Sequence, residues 1–324
     1  MSEYYGYAYA YFRWKGVARD MQQVYLALSR DGLHFEALNR NEPILIPDKG
    51  TKAARDPHIF RSRADGKYTI IATDLDVNRN QWHKYITQGS KSIHLWQSDD
   101  LVHWSEDQLV PVIDDRLGCI WAPKVCWDEE TGEYVMAFSA SAAGETAMSV
   151  YYTRTRDFRQ FSDVRILIQR ELNVEKKTWT WFMPPRKYLS YIDSTTVRAG
   201  DHYYRFTKND SLQTIKCEVS THIVEGFTLV REVVADEHGV EGPCLYKLND
   251  SDNFILLMDG YSAPNSGVGY FPLIATGAEL RSADFRRLAP QLFSLPEGCK
   301  HGSVMSLTRE EYERLLSTFG GEKA

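Results

Sequence analysis

A short pattern recurs along the chain and limits what it can fold into: a small hydroxyl residue, Asp two places on, and an aromatic or apolar residue four further. Clear copies run from Ser29 to Phe35, Ser98 to Trp104, Thr155 to Phe161 and Ser282 to Leu288, and a degraded fifth runs from Ser220 to Phe227 where the spacing demands one. Each reads as a strand ending in a polar turn, where the Asp accepts hydrogen bonds from nearby backbone N–H groups and the later aromatic residue returns to the core. Five equivalent turns cannot all be active sites, so these Asp residues are expected to be structural.

Ahead of four of the turns lies an alternating, aromatic-rich strand opened by a tight polar bend, at Asp65-Gly66-Lys67-Tyr68, Thr131-Gly132-Glu133-Tyr134, Gly200-Asp201-His202-Tyr203 and Ser251-Asp252-Asn253-Phe254. Each bend is a hairpin signal, and a further β-rich segment precedes it. The unit is therefore about 60 residues of successive antiparallel strands, the size of a propeller blade. Units start at Asp56, Ala122, Asp193, Glu241 and His301. The fifth has one strand before Thr308-Arg309-Glu310-Glu311 opens a short helix with a capping-box pattern and Tyr312, Leu315, Leu316 and Phe319 on one face. Its missing strands are expected at the other terminus, in Tyr5 to Phe12 and Gln23 to Ser29. The expectation is one all-β domain over residues 1–324, a five-bladed β-propeller whose ring closes by pairing strands from both ends of the chain, with a short C-terminal helix.

Composition narrows the partners. Thirty-eight basic against 44 acidic residues give a net charge of −6 with no Lys/Arg block, which disfavours nucleic acid. No 18-residue apolar run and no signal-like N-terminus occur, so no membrane span is expected and the chain reads as soluble and cytoplasmic. The five cysteines are scattered without C-x-x-C spacing and read as reduced, mostly buried thiols. Two insertions, Asp74 to Ser92 and Asn173 to Leu189, carry Trp82, Trp179 and Trp181 and are places to look for binding.

The first strand of each blade lines the central channel, so Asp56, Ala122, Asp193, Glu241 and His301 should converge on one mouth. Here the chain resembles glycoside hydrolase family 43, five-bladed propellers that cleave arabinofuranosides, xylosides and galactofuranosides with inversion. The resemblance rests on Arg55-Asp56-Pro57-His58-Ile59, Trp121-Ala122-Pro123-Lys124-Val125, Tyr191-Ile192-Asp193-Ser194-Thr195, Glu241-Gly242-Pro243 and His301-Gly302-Ser303-Val304, and covers nearly the whole chain. It implies Asp56 as general base, Glu241 as general acid and Asp193 as the residue that orients the acid and raises its pKa by like-charge repulsion. Arg55 and Trp121 are expected to touch substrate. Arg205 is expected either to pair with Asp193 or to reach a sugar hydroxyl. His301 is expected near the channel axis among the substrate-binding residues, where family members place a histidine that can hold a water or a calcium-type ion; a lone His without a set of carboxylates or thiolates reads first as a hydrogen-bonded core residue, and no metal is expected.

The function so implied is an exo-acting, inverting furanosidase needing no organic cofactor, α-L-arabinofuranosidase first, with β-galactofuranosidase or β-xylosidase on the same trio as alternatives. Its partner would be an oligosaccharide; the chain is silent on oligomeric state. Fructosidase propellers also use an Arg-Asp-Pro segment, but their Trp-Met-Asn-Asp-Pro-Asn and Glu-Cys motifs are absent here. A propeller that binds carbohydrate without cleaving it is the alternative of another class.

Overall fold

The computed structural model describes residues 3–14, 21–178 and 185–320. Within them five four-stranded antiparallel sheets follow one another around a ring. Their innermost strands are Ala54–Arg61, Trp121–Asp128, Tyr191–Ala199, Val240–Lys247 and Cys299–Leu307, which begin within two residues of the unit starts read from the sequence. We number the blades I to V in that order.

Blade V is completed from the N-terminus. Gly6–Arg13 lies between Cys299–Leu307 on one side and Tyr25–Ser29 on the other, pairing Tyr9 with Val304 and with Ala27, and the short strand Glu36–Ala37 closes the sheet. The expected closure by both chain ends is therefore present; it completes the fifth sheet, and each inner strand keeps only the short edge that a propeller leaves along its channel.

Apolar cores sit between blades, where alternate side chains of facing sheets interdigitate. Leu26, Ile59, Ile70, Trp96 and Leu307 pack blade V onto blade I. Phe206, Ile215, Leu256 and Phe271 do the same for blades III and IV. The five cysteines are free thiols, four of them buried, and no described helix is long and apolar enough to cross a membrane.

Three of the repeated turns share one hydrogen-bonding scheme. The Ser29, Ser98 and Thr155 hydroxyls accept from the N–H of Gly32, Leu101 and Phe158, and the Asp31, Asp100 and Asp157 carboxylates accept from the two N–H groups that follow. The copy at Ser282 departs from it. It follows the helix Gly277–Leu280, the left-handed residue is Ala283 instead of the one after the Asp, and Asp284 N–H bonds Glu279 O. Copy and geometry part there because the preceding helix has already set the chain direction.

The first insertion contains the helix Trp82–Thr87. In the second, Glu171–Leu172 pairs with Tyr188–Leu189, while Trp179 and Trp181 lie outside the described residues.

The C-terminal helix Arg309–Phe319 carries the capping box expected from Thr308 and Glu311. Leu315 is buried and Tyr312 and Phe319 pack on the same core, but Leu316 stays exposed because it lies one residue off that stripe. Glu311 also reaches beyond its own helix, since its carboxylate is ion-paired with Arg61 at 2.5 Å and accepts the Tyr68 hydroxyl, both on blade I. The helix thus locks blade V to blade I across the seam where the chain ends meet. Thr308→Ala, which removes only the cap, should cost about 1 kcal/mol. Glu311→Ala, which also strands Arg61 and Tyr68, should cost about 2 kcal/mol or more in urea unfolding.

Candidate active site

The inner strands of blades I to IV share an irregularity that positions the site. In each, the ladder with the second strand slips by one residue, between Arg55 and His58, Trp121 and Lys124, Ile192 and Thr195, and Glu241 and Cys244. The first residue of each bulge is left-handed, Asp56 at φ 52°, Ala122 at 48°, Asp193 at 49° and Gly242 at 57°. A bulge breaks the two-residue alternation of a strand and re-aims the side chains beside it. Two rings of residues result. Asp56, Ala122, Asp193 and Gly242 line a small cavity on the channel floor with His301. Trp121, Ile192 and Glu241, each one place earlier, line the open pocket above.

This corrects the alignment of the unit starts. The repeat sets Glu241 level with Asp56 and Asp193, but Gly242 holds that position and Glu241 stands one residue before it. The glycine is needed there: besides its positive φ, a Cβ would fall 2.4 Å from the His301 ring.

The three expected carboxylates nevertheless meet, and His301 joins them. Its Nδ1 is 3.0 Å from Asp56 Oδ1, and its Nε2 is 3.2 Å from both Glu241 Oε1 and Asp259 Oδ2, within ion-pair reach of each though on a good hydrogen-bond line to neither. With the width of an imidazole between those contacts, Asp56 Oδ1 and Glu241 Oε1 can be no more than about 8 Å apart, which does not exceed the roughly 6.5–9.5 Å between the two carboxyl groups of an inverting pair. Asp56 also accepts the Thr73 hydroxyl at 3.0 Å. Asp193 accepts the Gly242 N–H through Oδ2 at 3.2 Å.

Charge divides unevenly among the acids. Burial would raise Asp56, but the His301 contact and the charges of Arg55 and Lys124 hold it below the usual carboxylate range. Burial likewise would raise Glu241, yet Lys208 and His301 pull it far below. Asp193 goes the other way, up to about 6: burial is the main cause, aided by the Glu241 and Asp56 charges and only partly opposed by His301 and Lys208. His301 itself is held well above its usual value by Glu241, Asp259 and Asp56 despite burial. The expected raised pKa therefore belongs to Asp193 and Glu241 is the anion, because Glu241 has two cations against it and, among the described residues, Asp193 has no direct one.

Lys208 and Asp259 are absent from the residues singled out by the sequence. Lys208, 2% exposed, places Nζ 2.8 Å from Glu241 Oε2 and 3.0 Å from Asp210 Oδ1. Asp259, fully buried, is paired with Lys300 at 2.8 Å. Both occupy the second-strand position opposite the residue before the bulge, as Thr73 and Ser139 do in blades I and II. There the hydroxyls of Thr73 and Ser139 accept the N–H of the next blade's bulge residue, Ala122 at 2.8 Å and Asp193 at 3.0 Å. The sequence holds the signal: these four are each the fifth residue after Tyr68, Tyr134, Tyr203 and Phe254.

Trp121 lines the pocket and meets the insertion's Trp82 edge to face at 6.2 Å. Arg55 stands beside Asp56, but its guanidinium lies over Phe12 at 4.4 Å and bonds Gln22 at 3.3 Å, outside that pocket. Arg205 does not belong to the site. It is buried on blade III, bonded to Glu218 at 2.9 Å and stacked on Phe227 at 3.7 Å, since three residues along a strand turn its side chain to the face opposite Lys208.

A calcium-type ion beside His301 does not fit these donors. Asp193, Glu241 and His301 offer atoms within 4.8 Å of one another, but both His301 nitrogens face carboxylates, which calls for a protonated ring, and Glu241 is already neutralised by Lys208. Calcium takes oxygens from six to eight ligands, roughly, and the ammonium groups here supply the charge it would bring.

Over residues 2–313 the chain matches a family described as a probable glycosyl hydrolase domain, the glycosyl hydrolase 43-related family. It is 26% identical over 291 residues to an alpha-L-arabinofuranosidase of Bifidobacterium longum subsp. longum, covering 77% of this chain and 26% of that protein. It thus spans about a quarter of the length of that curated relative. Among solved structures it resembles a thermostable family-43 glycoside hydrolase, with TM-score 0.59, 13% identity and 92% and 95% of the two chains covered. It also resembles a GH43 beta-1,3-galactosidase, with TM-score 0.57, 11% identity and 87% and 55% covered. These structural likenesses speak to the fold alone. The match over nearly the whole chain carries the assignment: the protein belongs to glycoside hydrolase family 43, in its 43-related branch.

Proposed function

We propose that the protein hydrolyses glycosidic bonds with inversion and removes a terminal furanosyl residue, an α-L-arabinofuranosyl group before others. The observation that carries this reading is the His301 bridge, which brings Asp56 and Glu241 to the two nitrogens of one imidazole, no farther apart than the carboxyl pair of an inverting enzyme. The curated arabinofuranosidase relative supports the choice of sugar. A cavity of about 710 Å³, with Trp82, Trp121 and Tyr261 in its walls and Glu241 among them, offers room and aromatic faces for a sugar.

In this reading the sugar lies against Trp121 with its leaving oxygen toward Glu241 and its far face toward Asp56. Asp56, anionic, takes a proton from water as the water oxygen attacks the anomeric carbon. The bond to the leaving oxygen breaks, and that oxygen takes a proton from Glu241. Since Glu241 is ionised without substrate and Asp193 holds its proton up to about pH 6, the proton must first pass from Asp193 to Glu241. Their atoms approach within 4.8 Å, a gap that one water or sugar hydroxyl can bridge.

Glu241→Gln should lower turnover of glycosides with alkoxide leaving groups by about 10²–10⁴-fold. It should spare nitrophenyl glycosides far more, because nitrophenolate leaves without a proton. Equal losses on both, or unchanged turnover on both, would remove Glu241 from the acid role, and sugar binding by the wild-type protein without turnover of either would favour a propeller that only binds sugar. A pH profile gives a second test. Asp193 is protonated below about 6, so kcat/KM should fall as pH rises through that value. In Asp193→Asn the fall near pH 6 should vanish and the plateau drop by roughly tenfold or more.

A further inference from the structure

The Lys208 ammonium is not a simple partner of Glu241. It is bonded almost equally to two carboxylates, Glu241 Oε2 at 2.8 Å and Asp210 Oδ1 at 3.0 Å, with the Tyr261 ring 4.4 Å beneath it. Asp210 has a second cation, Arg186, whose Nη1 is 2.9 Å from Oδ2. Arg186 is more than half exposed and lines the same pocket as Glu241 and Trp121. A chain of four charged groups thus runs from the catalytic carboxylate to a guanidinium that a bound sugar would meet first. Around Glu241 the other charged groups are His301, with Asp56 and Asp259 behind it, and Asp193.

We propose that Lys208 is a positioning residue that decides when Glu241 can carry a proton: its ammonium is shared between Glu241 and Asp210, and the Asp210–Arg186 pair makes that sharing respond to a sugar in the pocket. The inference rests on the reading of Glu241 as the general acid. In the free protein Lys208 keeps Glu241 anionic and the pit's proton stays on Asp193. Sugar hydroxyls that engage Arg186 weaken its hold on Asp210, and Asp210 then draws Lys208 more strongly. Glu241 loses a cation just as the sugar displaces water from around it, and both changes favour its neutral form. The proton leaves the Asp193 carboxyl for the Glu241 carboxylate, and Asp193 is left as the anion; no other species is needed.

The test is a carboxyl titration of the whole protein by ¹³C NMR with glutamate labelled at Cδ, the Glu241 signal being assigned by its loss in Glu241→Gln. In Lys208→Met, Glu241 should titrate at least one pH unit above wild type, and in Lys208→Arg, which keeps the charge, near wild type. Asp210→Asn, which leaves Lys208 to Glu241 alone, should move it down. Arg186→Gln, which leaves Asp210 to Lys208 alone, should move it up. On a glycoside with an alkoxide leaving group, the alkaline limb of kcat/KM should shift in the same directions, about tenfold in rate per pH unit on the limb. Should Lys208→Met be poorly folded, the opposite shifts of Asp210→Asn and Arg186→Gln still decide. Glu241 titrating at the wild-type pH in all of them, with activity merely reduced, would overturn the proposal and leave Lys208 a structural ion pair. Full turnover in Glu241→Gln on the same glycoside would instead overturn the reading of Glu241 as the general acid, whatever the titrations give.

Discussion

The site depends on a backbone constraint, the left-handed bulge at the head of four inner strands. A regular strand would send Asp56 and Asp193 and their neighbours alternately to the two faces of each sheet, into the inter-blade cores. The bulge turns them out of that alternation, so that one ring of residues faces the channel floor and the ring before it faces the open pocket. Asp and Ala at positive φ are costly, about 1 kcal/mol or more each. In blades II and III that conformation is pinned by the preceding blade, whose Ser or Thr hydroxyl accepts the bulge N–H. The fold and the site share this device: the hydrogen bond that registers one blade on the next also fixes where a carboxylate points.

Blades III and IV use the same second-strand position for chemistry instead of registry. Lys208 and Asp259 replace the hydroxyls, and each reaches across to the next blade's functional residues, Glu241 in one case and Lys300 with His301 in the other. Buried charges demand partners. Asp56, Asp193, Glu241 and Asp259 are set among His301, Lys208, Lys300 and Lys124, whose ammonium bonds Gly302 O at 2.9 Å. The surplus of opposite charge falls on Glu241 and Asp56, and Asp193, held mainly by a backbone N–H, keeps the proton. Side-chain charges arranged in this way keep anionic carboxylates and a protonated one within one pit.

Much of this was legible in the residues. The repeat spacing located all five inner strands to within two residues, because a propeller repeats one strand unit around its ring even where the turn geometry differs, as at Ser282, and the split blade followed from counting strands at the two termini. The trio Asp56, Asp193 and Glu241 was legible because channel-strand heads converge whatever lies between them. The offset of Glu241 by one residue was not, since a bulge changes register without changing composition. Arg205 was misplaced for the opposite reason: its strand was right, but side-chain parity relative to the bulge decided that it faces Glu218 and not the channel. Lys208 was overlooked because a lysine ending a strand in Lys208-Asn209-Asp210 reads as solvated surface, and only comparison of the four second strands puts it beside Thr73, Ser139 and Asp259.

The proposed hydrolysis has Asp56 and Glu241 acting from opposite faces of one sugar. Following hydrolysis of an α-L-arabinofuranoside by ¹H NMR reads this directly, because the first-formed hemiacetal reports the face that water attacked. With Asp56 as the base, β-arabinofuranose should appear first and mutarotate afterwards. Initial release of the α-anomer would mean that a carboxylate had attacked the sugar itself, and would contradict the assignment of Asp56 as a base acting through water.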